Sequence, residues 1–118
     1  MPNIPDNFIK ALLDDLRRGK FSAVIARSDD LLGRDPNSTM VLNIKGVALQ
    51  SSNQDALAER CFMSAIKKSP ASDYTFCNLG NLNFKKGEFD LAKQNYQEAL
   101  RLNPKNQQAA NNLGTVFK

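Results

Sequence analysis

Four of the five prolines in this sequence of 118 residues are evenly spaced, with 34 residues from each to the next: Pro2, Pro36, Pro70 and Pro104. A fixed spacing of this length is typical of chains that stack copies of one small structural unit, so it constrains the architecture before any single motif does. Counted from these prolines, the units are residues 5–38, 39–72 and 73–106, and residues 107–118 begin a fourth.

Two helices are predicted inside each unit. In the third unit, apolar residues recur at spacings of three and four from Phe89 to Leu102, which is the pattern of an amphipathic helix. A shorter apolar pattern ends before Gly87, and glycine readily adopts the left-handed backbone that ends many helices. Asn53 takes the same place in the second unit, and asparagine tolerates that backbone as well. Each unit is therefore predicted to be a helix, a tight turn and a second helix.

Small residues recur at two positions of the unit, where they indicate close contact between helices. The occupants are Gly46 with Ala58, and Gly80 with Ala92. Because paired helices approach closely only where facing side chains are small, we expect each glycine to lie against the alanine of its own unit, and the larger Phe62 and Tyr96 to fill the space toward the next unit. One helix pair cannot bury its own apolar face, so neighbouring pairs must complete the core.

This pattern resembles the tetratricopeptide repeat, a 34-residue helix pair with leucine, glycine, alanine, aromatic residues and proline at set positions. The third unit matches it at Phe76, Leu79, Gly80, Ala92, Tyr96, Ala99 and Pro104, and departs where Asn83 replaces an aromatic. The second unit matches at Leu42, Gly46, Leu49, Ala58, Phe62, Ala65 and Pro70. The resemblance implies an all-α right-handed solenoid of antiparallel helix pairs, with about three repeats plus one extra helix, in a single domain.

The first unit departs most from the signature, with Leu12 for glycine, Val24 for alanine and Ser28 for the aromatic. Leu12 facing Val24 would hold the two helices farther apart. We interpret this unit as a divergent terminal repeat, because the end of a repeat array faces water. The alternative is an unrelated helical hairpin.

The partial fourth unit contains only the first of two helices, so its apolar residues have nothing to cover them. Either the sequence is a fragment of a longer repeat protein, or this C-terminal edge is an association surface that gives homo-oligomers. The residues predicted to self-associate are Leu113 and Phe117.

A concave groove lined by the first helices is where the family generally binds extended peptides or partner helices. Carried over to this sequence, the peptide-binding residues are Asn43, Val47, Tyr74, Asn78, Asn81, Phe84, Lys85, Asn111 and Asn112. Further groove positions hold Cys77, Gln108, Thr115 and Lys118.

Asparagine side chains dominate this lining, and an amide both donates and accepts, so it can pair with a peptide main chain. Asn78 and Asn112 hold the same position of the unit, which is similar to the asparagine ladder in the repeat domain of O-linked N-acetylglucosamine transferases. The alternative is that these amides bond only neighbouring helices or water. Tyr74 and Phe84 would either anchor an apolar side chain of the partner or pack along their own helix.

Co-chaperones of the family grip a C-terminal carboxylate with charged residues at set groove positions. The corresponding positions here are not charged: Asn43, Val47, Cys77, Asn81 and Gln108. A carboxylate clamp is therefore not expected.

Composition excludes several other classes of function. No histidine is present, so the commonest general base and neutral metal ligand are missing. Cys61 and Cys77 are expected to be reduced thiols in or near helix packing. We therefore predict a chain that is not an enzyme and holds no metal or cofactor. The formal net charge is +4, but basic residues are scattered among acidic ones, so no nucleic-acid partner is expected.

The N-terminal sequence lacks the layout of a signal peptide, and no apolar run approaches the roughly 18 residues of a membrane span. A cytoplasmic protein without a membrane partner is expected. The predicted function is a protein-interaction module that binds a protein or peptide partner. Two alternatives stay open: the recognition arm of a larger enzyme of the glycosyltransferase or sulfotransferase type, and a scaffold that self-assembles through its C-terminal edge.

Overall fold

The computed structural model describes residues 4–117, and over this range it is built of α-helices without strands. The helices are α1 (Asp6–Arg17), α2 (Phe21–Arg34), α3 (Thr39–Ser51), α4 (Asp55–Lys68), α5 (Asp73–Lys85), α6 (Phe89–Leu102) and α7 (Gln107–Val116). The all-α class and the repeating helix pairs are confirmed. Helices α3, α5 and α7 begin 34 residues apart, which is the spacing of the prolines.

The chain divides into two compact units, the first ending at Lys68 and the second beginning at Ser69. The 34-residue units of the sequence are called repeats from here on. The first unit contains α1 to α4, and the second contains α5 to α7. None of the helices in residues 4–117 is both long and apolar enough to cross a membrane.

The turns between paired helices have the predicted backbone. Gly87 has a φ of +79° and Asn53 a φ of 62°, and Gly19 takes the equivalent conformation in the first helix pair with a φ of +76°. At Gly87 the turn is closed by the main-chain N–H of Glu88, which donates to the carbonyl oxygen of Asn83 at 2.8 Å. The left-handed residue thus lets the second helix of each pair start immediately after the first has ended.

The glycines at the centres of α3 and α5 lie against aromatic rings. A Cβ atom added to Gly46 would lie 2.4 Å from a ring carbon of Phe62, and one added to Gly80 would lie 2.5 Å from a ring carbon of Tyr96. The rings of Phe62 and Tyr96, expected to fill the space toward the next repeat, are thus the nearest neighbours of the glycines in their own repeats. The glycine is needed because the ring of the partner helix occupies the space that any side chain would fill.

The first helix pair is packed differently from the others. Leu12 and Val24 are both buried in one apolar cluster, and α1 contacts α2 less extensively than α3 contacts α4. A cleft of about 460 Å³ opens between α1 and α2, with Phe8 and Arg34 in its lining. This looser pairing agrees with the expectation that Leu12 keeps the two helices apart.

The second unit has its own apolar core. Cys77, Ala92, Tyr96, Ala99 and Ala109 form a buried cluster that joins α5, α6 and α7.

Polar contacts fix the start of α7 against α5. The side-chain amides of Asn103 and Asn106 both donate to Oδ2 of Asp73, at 3.1 and 2.8 Å. Asn106 also caps α7, because its Oδ1 accepts a hydrogen bond from the main-chain N–H of Ala109. Since Asp73 is the first residue of α5, these contacts tie the first turns of α5 and α7 together.

Candidate functional site

One amide oxygen connects the three helices of the second unit. The hydroxyl of Tyr96 on α6 donates to Oδ1 of Asn81 on α5 at 2.6 Å, and Nδ2 of Asn112 on α7 donates to the same oxygen at 2.8 Å. An amide oxygen has two lone pairs, so both bonds can form at once. Asn81 is therefore held from two sides, and its side chain is oriented before any ligand arrives.

The same contacts leave complementary polar groups beside each other. Neither bond uses the NH2 group of Asn81, and neither uses the amide oxygen of Asn112. Both residues line a pocket of about 200 Å³, together with Phe84, Tyr96 and Thr115. An NH2 donor next to an amide acceptor matches the carbonyl and N–H groups of a peptide main chain.

Tyr96 is almost fully buried. Its burial, and to a smaller extent the nearby Cys77, raise the pKa of the phenol to about 12, although the neighbouring Asn112 amide acts in the opposite direction. The hydroxyl therefore stays protonated at neutral pH and can remain a donor to Asn81.

This pKa predicts a pH dependence of stability. In the folded state the pKa of the phenol is raised above its ordinary value of 10. The stability that Tyr96 contributes is therefore complete below pH 10 and is lost as the pH rises toward 12. Urea denaturation at several pH values between 9 and 12 should show a smaller loss of stability for Tyr96→Phe than for the wild type. The matched control is Tyr74→Phe, because Tyr74 is 70% exposed. Equal losses in the wild type and Tyr96→Phe would contradict the role assigned to this phenol.

The structure brings three of the predicted peptide-binding residues together at this pocket: Asn81, Phe84 and Asn112. Four others lie on the same two helices, with Tyr74, Lys85 and Asn111 exposed and Asn78 half-buried. Phe84 is 37% exposed and makes an edge-to-face contact with Phe89 at a centroid distance of 5.3 Å. Val47 is half-buried on α3, in the first unit.

Asn43 and Cys77, which share one position of the repeat, are buried rather than open to a ligand. Nδ2 of Asn43 donates to the carbonyl oxygen of Thr39 at 3.0 Å, so its amide is used inside α3. Cys77 belongs to the core cluster with Tyr96 and Ala109. The side chain at this repeat position lies on the packed side of its helix. Contrary to the expectation, Asn43 and Cys77 are therefore not exposed to a ligand. Lys118 lies outside the described residues.

Burial raises the pKa of both thiols, and that of Cys77 reaches about 11. They are therefore protonated at neutral pH, as expected of structural cysteines. Within residues 4–117, no group of three or more His, Cys, Asp or Glu side chains is arranged to hold a metal ion.

Tyr96 and Thr115 also line the pocket. Thr115 was among the predicted groove positions, whereas Tyr96 was not predicted as a site residue. A signal was present in the comparison of the repeats, because Phe62 takes the same position in the repeat of residues 39–72 without a hydroxyl. A buried tyrosine normally finds a hydrogen-bond partner, which points to a polar neighbour.

The two residues predicted to self-associate are in different settings. Leu113 packs against the core cluster of the second unit, whereas Phe117 is 62% exposed. The ammonium group of Lys93 lies 4.9 Å from the centroid of the Phe117 ring.

Comparisons with known structures agree with this fold. The NMR structure of the first TPR domain of human RPAP3 has a TM-score of 0.87 at 20% identity, covering 93% of this chain and 87% of that one. The first TPR of Spaghetti (RPAP3), bound to the HSP90 peptide SRMEEVD, has a TM-score of 0.83 at 20% identity with the same coverage.

A sequence relative from Petunia hybrida is named "Probable UDP-N-acetylglucosamine--peptide N-acetylglucosaminyltransferase SPINDLY". It is 33% identical over 100 residues, which are 85% of this chain but 11% of that protein, so the chain spans only a small part of its length. The sequence profile of the family described as Tetratricopeptide repeat matches residues 74–106. Together with the helix pairs, these matches show that residues 74–106 are a tetratricopeptide repeat and that the chain has the fold of a tetratricopeptide repeat domain.

Proposed function

We propose that the chain is a non-catalytic module that binds an extended peptide along α5 and α7, chiefly through the peptide main chain. The observation that carries this proposal is the shared oxygen of Asn81, which orients two amides while leaving a donor and an acceptor at the pocket. Because these side-chain amides are already ordered, peptide binding costs less conformational entropy.

The pocket favours the peptide main chain over a charged group. Its lining is neutral, with the side chains of Asn81, Phe84, Tyr96, Asn112 and Thr115. A carboxylate would need basic partners to replace its water, whereas a peptide unit needs one donor and one acceptor. The HSP90 peptide bound by the Spaghetti domain ends in Glu-Val-Asp. We infer that this chain prefers a neutral, extended segment instead.

Exposed aromatic side chains give the surface its apolar contacts. Phe84 borders the amide pocket, and Tyr74 is exposed near the start of the same helix. Aromatic residues bury large areas at low entropic cost, so both are suited to hold apolar side chains of the partner.

A second proposal is that the module is the recognition arm of a larger glycosyltransferase. The observation favouring it is the match to a relative named as an N-acetylglucosaminyltransferase, of which the chain covers 11%. In that case, the bound peptide would be part of the acceptor protein. Sequencing the source gene would support this proposal if an open reading frame joined the repeats to a transferase domain, and would argue against it if none did.

The peptide-binding proposal is tested by nuclear magnetic resonance. A peptide is first selected from a random displayed library against the whole chain, and is then titrated into isotope-labelled protein. We expect the side-chain NH2 signals of Asn81 and Asn112 to shift together and to saturate. Saturation without movement of these signals would place peptide binding elsewhere.

A further inference from the structure

One carboxylate of α5 holds the turn between α6 and α7. Within this turn, Oδ1 of Asn103 accepts a hydrogen bond from the main-chain N–H of Lys105 at 3.1 Å, and Oδ1 of Asn106 caps α7. Each of the two amides then donates from its NH2 group to Oδ2 of Asp73, at 3.1 and 2.8 Å. We call Asp73, Asn103 and Asn106 the clasp. Because hydrogen bonds to a charged acceptor are roughly twice as strong as neutral ones, the clasp favours one position for the start of α7.

The clasp and the amide pocket lie on the same two helices. Asp73 is eight residues before Asn81 on α5, and Asn106 is six residues before Asn112 at the start of α7. With a rise of 1.5 Å per residue, the clasp lies about 12 Å from Asn81 along α5. Between Asn106 and Asn112, Ala109 is fully buried in the core of the second unit. The start of α7 is thus fixed to α5 by the clasp, and its middle by the hydrogen bond that orients the pocket.

The clasp and the oriented pocket occur together at one junction between repeats. One repeat earlier, Thr39 takes the place of Asp73. In the same repeat, Val47 takes the place of Asn81. Threonine has no carboxylate and valine has no amide, so neither set of contacts can form there in the same way. This joint occurrence suggests that the two sets of contacts serve one site.

We propose that Asp73 is a positioning residue of the peptide site, which holds α7 where Asn112 reaches Asn81 and thereby sets the affinity for the peptide. Asp73 is not among the residues that line the pocket. The inference rests on the proposed function and deepens it, because it names a residue outside the pocket that controls binding.

The physical link is the fraction of molecules in which both amides are in place. The apparent affinity for a ligand falls in proportion to the fraction of the protein that is competent to bind. Without the carboxylate of Asp73, the start of α7 loses two hydrogen bonds to α5. The bond between Asn112 and Asn81 then forms in fewer molecules, and the pocket is oriented less often.

Asp73→Ala tests the proposal, with Asp73→Asn as the conservative variant. Alanine leaves both NH2 groups of the clasp without their acceptor, whereas the amide oxygen of asparagine has two lone pairs and can accept from both. Affinity is measured by calorimetry on the whole chain, with a peptide selected from the displayed library. We expect Asp73→Ala to lower the affinity at least threefold, and Asp73→Asn to bind more tightly than Asp73→Ala.

The free protein gives a second readout, which a general loss of stability would not change. In isotope-labelled Asp73→Ala, the side-chain NH2 signals of Asn112 should move from their wild-type positions, because the bond to Asn81 forms less often. Asp90→Ala is the matched control, since Asp90 is also an acidic residue in the first turn of a helix and is exposed. It should leave both these signals and the affinity unchanged.

An affinity of Asp73→Ala within threefold of the wild type, or Asn112 signals that stay in place, would overturn the proposal. Asn81→Asp, measured with the same peptide, distinguishes this failure from failure of the proposed function. If Asn81→Asp loses affinity and Asp73→Ala does not, the pocket binds peptide without help from the clasp. If neither variant loses affinity, the peptide site itself is refuted.

Asn106→Ser decides the question if Asp73→Ala does not fold. Serine keeps the helix cap, as Ser38 does at the equivalent position before α3, but it has no NH2 group to donate to Asp73. The variant should lower the affinity and move the Asn112 signals in the same direction. Wild-type affinity and unchanged signals in Asn106→Ser would then overturn the proposal.

Discussion

Gly80→Leu is expected to lower the free energy of unfolding by about 1–3 kcal/mol, near the upper end of this range, by overpacking the core of the second unit. The first atom of the new side chain would already lie 2.5 Å from a ring carbon of Tyr96. That ring is 2% exposed and is also held by its hydrogen bond to Asn81, so it has little room to move. Urea denaturation followed by circular dichroism measures the change.

Two further variants separate overpacking from the general effect of leucine in a helix. Gly114→Leu makes the same change at the equivalent position of α7, where an added Cβ atom would meet no neighbouring atom of residues 4–117 within 4 Å, so the free energy of unfolding should change by less than about 1 kcal/mol. In the first helix pair the two positions are occupied by Leu12 and Ser28, both buried. The double variant Gly80→Leu with Tyr96→Ser copies that arrangement and should recover part of the loss. Equal losses at Gly80 and Gly114 would refute this packing.

Asn81→Asp is expected to weaken peptide binding by roughly 10- to 100-fold while leaving the fold intact. Aspartate keeps an oxygen that accepts from Tyr96 and Asn112, but it has no NH2 group to donate to a peptide carbonyl. The lost hydrogen bond and the repulsion between carboxylate and carbonyl oxygens together cost about 1.5–3 kcal/mol. Isothermal titration calorimetry with a selected peptide measures the change in affinity.

Gln94→Glu is the matched control for Asn81→Asp, since it also turns an amide into a carboxylate, on the exposed side of α6. Its affinity for the peptide should equal that of the wild type. Thermal denaturation of both variants shows whether the fold is retained. An Asn81→Asp variant that binds as tightly as Gln94→Glu would remove Asn81 from the site.

The sequence predicted the helix pairs and their turns well, because these depend on local features. Gly87 and Asn53 determine where the first helix of a pair ends, and the spacing of apolar residues determines where the second helix lies. The contact between Gly80 and the Tyr96 ring was not predicted, because it depends on how the two helices are rotated against each other. Small residues at two positions showed that the helices approach closely, but not which side chain lies opposite the glycine.

The candidate site was predicted only in part. The position of Asn81 and Asn112 on the first helices followed from the repeat, and the structure places both at one pocket. The hydrogen bonds that orient them join residues from three helices, so they depend on side-chain conformations that periodicity does not contain. Asn83 illustrates the same limit, because it departs from the family signature yet is buried and hydrogen-bonded to Glu88 and Asn95.

Main-chain recognition is tested most directly by two scans of one bound peptide, with affinity measured by calorimetry. In the first, each peptide nitrogen is methylated in turn, which removes its N–H; in the second, each side chain is replaced by alanine. If the peptide is bound through its main chain, methylation at one position or at two neighbouring positions should lower the affinity about tenfold or more, while most alanine substitutions should have smaller effects. Tolerance of methylation at every position, with one side chain carrying most of the affinity, would contradict it.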